Sequence, residues 1–91
     1  MTRYRQGDVL IVELEEAPAR TVAVPPEVDG RLVVARAEAT GHAHFVVGGE
    51  AKLVTSEQAD ELYLLVYRKA ALVHDGDSPI VIPPGSYRVE T

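Results

Sequence analysis

Short apolar runs broken by turn residues, not apolar positions at helical spacing, set the pattern of this chain. Val9-Leu10-Ile11-Val12 is the first run, and Glu13-Leu14-Glu15 after it alternates like a strand emerging into solvent. Thr21–Val24 is a β-branched run halted by Pro25-Pro26, and Leu32-Val33-Val34 follows the turn dipeptide Asp29-Gly30. His44-Phe45-Val46-Val47 ends at Gly48-Gly49, from which Ala51–Val54 returns as the second arm of a hairpin. Leu62–Tyr67 is continuously apolar and reads as a central buried strand, followed by Ala71-Leu72-Val73, Ile80-Val81-Ile82 and Tyr87-Arg88-Val89. Thr55 and Gln58 have capping-box spacing, so the only helical feature expected is one short turn near 56–61, with a polar loop as the alternative. All six prolines fall at strand edges or turns, where a residue without an N–H belongs in a sheet protein. The pattern predicts an all-β fold of eight or nine short strands in one domain over residues 1–91, a small barrel or sandwich.

Length and composition narrow the functional classes. Ninety-one residues suffice for one domain with a thin core, which makes self-association, most simply a homodimer, an expected route to added stability. The absence of cysteine excludes disulfides and thiolate metal sites. A net charge of −5 argues against a nucleic-acid partner, because phosphate binding needs a basic face. No secretory leader or membrane-length apolar run is visible, so the expected compartment is the cytoplasm, with no membrane partner.

Three histidines carry the candidate chemistry. In a strand, alternate residues share a face about 6.6–7 Å apart, so His42 and His44 project together, with Ala43, Phe45 and Val47 expected on the other, core-facing side. Two imidazoles at that spacing can converge on one ion. His74 offers a third nitrogen, and Asp75 and Asp77 supply oxygens beside it. Three imidazoles and a carboxylate suit Zn, Fe, Mn or Ni. Glu38, four residues before His42, and Glu50 are further carboxylates in reach along the sequence. The competing reading makes the histidines incidental surface or turn residues. No serine lies in a nucleophile elbow, and Gly48-Gly49 lacks the strand-to-helix frame of a phosphate loop. Tyr63 and Tyr67, on one face of their strand, read as core or interface residues.

The segments Arg5-Gln6-Gly7-Asp8-Val9-Leu10, Thr40-Gly41-His42-Ala43-His44, Leu72-Val73-His74 and Pro79 to Val89 resemble a family of small uncharacterised bacterial proteins, over nearly the whole chain. In that family a fourth histidine follows the third, and the resemblance puts Asp77 at its position. A looser resemblance is to cupins: His42-Ala43-His44 with Glu50 is similar to their first motif, and Pro83-Pro84-Gly85 to part of the second. It implies a metal-binding, jelly-roll-like barrel, with Arg88 where the later cupin histidine falls. Two readings of function follow. One is a divalent-metal or small-ligand site built from His42, His44, His74 and Asp77, with Glu38 and Glu50 as additional carboxylates. The other is a homo-oligomeric interaction module without metal or catalysis. Whether the chain is an enzyme is left open at this point.

Overall fold

A computed structural model describes residues 2–27, 29–36, 42–57 and 60–91, and among these the chain forms ten strands. They are β1 (Arg3–Gln6), β2 (Val9–Leu14), β3 (Thr21–Val24), β4 (Leu32–Arg36), β5 (Ala43–Val47), β6 (Glu50–Ser56), β7 (Leu62–Arg68), β8 (Ala70–His74), β9 (Asp77–Ile82) and β10 (Gly85–Glu90). Every ladder is antiparallel: β1-β2-β10-β7-β6-β3 make a six-stranded sheet and β4-β5-β8-β9 a four-stranded one. The two sheets face each other across one core. Val9, Ile11, Leu53, Leu64 and Tyr87 from the large sheet meet Val34, Val46, Leu72 and Ile82 from the small one. Burying each large aliphatic side chain contributes about 1.5–3 kcal/mol before entropy is counted.

The fold is therefore a sandwich, and the barrel alternative, with the cupin-like closed barrel it implied, does not hold. Among the described residues no ladder joins the sheets. Strand β3 stops at Pro25-Pro26, and the bonds Glu27 N–H to Arg31 O (2.9 Å) and Gly30 N–H to Glu27 O (2.8 Å) then turn the chain into β4 of the other sheet. No helix occurs among the described residues, so none of them forms a helix long and apolar enough to cross a membrane. Strand β6 runs through Ser56, whose N–H donates to Glu61 O at 3.2 Å. Gln58 lies outside the described residues, as do Glu38, Thr40 and Gly41.

Three expectations change. Strand β1 is unheralded by an apolar run: Tyr4 is its one apolar residue, and it forms because Gly7, at φ 57°, turns it back onto β2 in full register. Second, β7 is central in its sheet but buried on one face only, with Leu64 and Val66 inside and Tyr67 53% exposed outside. Third, the faces of β5 are reversed. Val46 is buried in the core, while Phe45 lies outside under the Arg31 guanidinium, 4.4 Å from its ring centroid, and Val47 is exposed. With Phe45, Val46 and Val47 all apolar, alternation does not identify the inner face; the cation over Phe45 gives that ring cover outside the core. Because His44 shares a face with Val46, its ring and that of His74 line the end of the core, while His42 stays exposed.

Candidate functional site

Two inward stripes of the small sheet end in imidazoles. On β8 the stripe runs Ala70, Leu72, His74, and on β5 it runs Val46, His44. The two strands are neighbours, with Phe45 opposite Val73, so the rings meet: His44 and His74 stack with centroids 4.0 Å apart and planes 12° from parallel. The ring of His42 is 6.2 Å from that of His74, tilted by 50°, and its Nδ1 lies 3.3 Å from Asp75 Oδ2. His74 opposes Asp77 across the β8–β9 turn, with Nδ1 2.9 Å from Asp77 Oδ2. The structure thus brings His42, His44, His74 and Asp77 to one end of the sandwich.

It does not bring Glu50 there. Glu50 opens β6 beyond Gly48-Gly49, at the opposite end of β5 from His44, and pairs with Arg68 at 3.7 Å. That turn is fixed by backbone packing, since a Cβ on Gly49 would stand 2.2 Å from Lys69 O.

The key to the site is a residue the sequence reading passed over. Gln6, 2% exposed at the end of β1, reaches from the large sheet into the small one. Its Nε2 donates to Leu72 O and to Ser78 O, both at 3.0 Å, which identifies Oε1 as the acceptor facing His44 Nδ1, also at 3.0 Å. Nδ1 of His44 therefore carries the proton, and Nε2 keeps a lone pair. The same logic holds for His74. An Nδ1 that donates to Asp77 has no lone pair for the Gly76 N–H 3.3 Å away, and the shorter, charge-assisted bond decides the tautomer. In its neutral form with Nδ1 donating, each ring of the stack presents an unprotonated Nε2.

The electrostatics favour the same state. Burial pushes the His44 pKa below that of a free imidazole, and His74 lowers it further, partly offset by Asp77 and Asp8. His44 is accordingly neutral at pH 7. Asp8, in the turn between β1 and β2, is a second group the sequence reading missed. It lines a cleft of about 420 Å³ with Arg5, Val9, Ala35, Arg36 and His44. Gly7 keeps the approach narrow, since a Cβ there would meet His44 Cε1 and Asp77 Oδ2 at 3.4 Å each. The in-phase pair Tyr4 and Gln6, with Gly7 next, was the available signal that an amide points inward.

As the side chains stand, no three of His, Asp or Glu among the described residues are grouped to hold a metal ion. The stack offers two lone pairs in nearly parallel planes, and a common ligand requires the rings to splay. Comparison with curated proteins and with solved structures finds no match. Residues 5–91, by contrast, match the family described as Domain of unknown function (DUF8820), so the chain belongs to that uncharacterised family.

Proposed function

We propose that this small β-sandwich binds a divalent transition-metal ion through the Nε2 atoms of His44 and His74. The observation that supports it is the pair of Nδ1 anchors, Gln6 and Asp77, which set the tautomer each ring needs to act as a ligand. Carboxylate or amide partners on the far nitrogen are the usual means of orienting a metal-binding imidazole and raising its basicity. In this reading Asp77 orients His74, and His42, held beside Asp75, swings in as the third imidazole. In this reading a shared ion requires the two stacked rings, 12° from parallel, to splay apart. The adjoining cleft keeps the remaining coordination position open to water or a small ligand.

Calorimetric titration of Zn²⁺, then Ni²⁺ and Mn²⁺, into protein prepared without a histidine tag tests the proposal. One ion per chain is expected, with the affinity lowered at least about tenfold by His44→Ala or His74→Ala and unchanged by Glu50→Gln. Absence of binding by all three ions, or binding indifferent to both histidines, would refute it.

A further inference from the structure

The histidines of the small sheet meet the large sheet at the two-residue turn that joins β1 to β2. Gln6 pairs with Val9 across that turn and both are buried, so Gly7 and Asp8 are held between two fixed ends. A Cβ on Gly7 would stand 3.7 Å from Nε2 of His44. The nitrogen that offers its lone pair thus lies against this turn, one residue from Asp8. Asp8 and His44 also line the same cleft of about 420 Å³. Burial is the main cause of the lowered His44 pKa, and the charge of Asp8 acts on the same ring in the opposite direction.

The carboxylates at this end differ in what already holds them. Asp77 lies 2.9 Å from His74 Nδ1 and Asp75 3.3 Å from His42 Nδ1, whereas Asp8 forms no ion pair among the described residues. Arg5 and Arg36 line the cleft too, but neither is within ion-pair distance of Asp8, and Arg36 is engaged by Glu27 at 2.9 Å. The Asp8 side chain is exposed and unengaged, so it moves between staggered rotamers at little cost. That movement is required, because as the side chains stand no three of them are grouped around an ion. A divalent ion bound by neutral imidazoles alone keeps its whole charge in a partly buried place, and a carboxylate ligand halves it. We infer that Asp8 is the anionic ligand of the ion held by His44 and His74, which makes that ion a bridge between the six-stranded and four-stranded sheets. This rests on the binding proposed at the two histidines and adds to it a donor from the opposite sheet. Imidazole and carboxylate donors together suit Zn²⁺, Mn²⁺ and Fe²⁺. An ion that takes five or six ligands still keeps a position on the cleft side for water or a small ligand.

Calorimetric titration of Zn²⁺ into the full chain, unsubstituted and carrying Asp8→Asn, tests the ligand. The substitution should lower the affinity at least about tenfold. Salt screens the through-space pull of an exposed carboxylate but not a bond to the ion, so the loss should persist in about 0.5 M potassium nitrate. A second measurement needs no variant to fold: the side-chain carboxyl ¹³C resonance of Asp8 in the unsubstituted protein should move on addition of one equivalent of Zn²⁺. An affinity unchanged by Asp8→Asn, a loss that salt abolishes, or an Asp8 resonance that stays in place in zinc-loaded protein would overturn this inference and leave binding at the histidines standing. Failure of the unsubstituted chain to bind the ion at all would overturn both.

Discussion

Gln6 joins the two sheets through three hydrogen bonds, two to backbone carbonyls of the small sheet and one to His44. Replacing it with leucine retains most of the volume and strands those partners, the Leu72 carbonyl in a buried position and the other two part-buried. The expected loss is about 2–3 kcal/mol in urea unfolding, from leaving buried polar groups unsatisfied. A loss under about 0.5 kcal/mol, the range of an ordinary surface change, would show that the amide anchors nothing. Tyr87 makes a second residue-level case. It is fully buried, its hydroxyl donates to Pro83 O at 2.6 Å, and its ring meets Tyr4 edge-on at 6.1 Å. Burial raises its pKa to about 12, with Tyr4 and Glu13 adding to the shift. The folded state therefore holds this proton after the unfolded chain has released it. The stability that Tyr87 contributes is full below pH 10 and declines as the pH climbs from about 10 to about 12, by about 2–3 kcal/mol in all. Unfolding at stepped alkaline pH checks this. Tyr87→Phe should flatten that part of the decline, and an identical profile in the variant would contradict the assignment.

At the scale of the strands, β5 is where sequence and structure part. The nine apolar runs each became a strand, because bounded β-branched segments between glycines and prolines have few other ways to satisfy their backbones. The face that a run buries is weakly encoded when its neighbours are also apolar, as at Phe45-Val46-Val47. The histidines were legible as chemistry, but their convergence was not: it depends on β5 and β8 becoming neighbours and on a bulge between Leu72 and His74. Gln6 and Asp8 were hidden because β1 has almost no apolar signal. The inversion of β5 makes a direct comparison possible. Val46→Ala should cost about 2 kcal/mol, the transfer of two methyl groups plus a cavity term. Val47→Ala, on the outer face, should cost under about 0.5 kcal/mol. Chemical unfolding of the two variants side by side decides it, and equal costs, or the reverse order, would restore the opposite face.

Considered whole, the sandwich is pinned at one end by a side chain that bridges its two sheets. At the histidine end Gln6 ties β1 to β8 and β9, whereas between the β3 and β4 edges a cavity of about 380 Å³ runs in to Val46 and Leu53. The pinned end is where a site can be held to a fixed geometry, since its anchors belong to both sheets and its histidine stripes continue from the core. Membership of an uncharacterised family supplies no activity, so the functional account depends on the protonation of two rings. Long-range ¹H–¹⁵N correlation spectra of uniformly labelled protein at pH 7.5, in chelator and then with one equivalent of Zn²⁺, report that protonation atom by atom. The account predicts Nδ1–H and unprotonated Nε2 for both His44 and His74 in chelator, with the two Nε2 resonances shifting on addition of zinc. A proton on Nε2 of either ring, or resonances that stay in place when the metal is added, would contradict it.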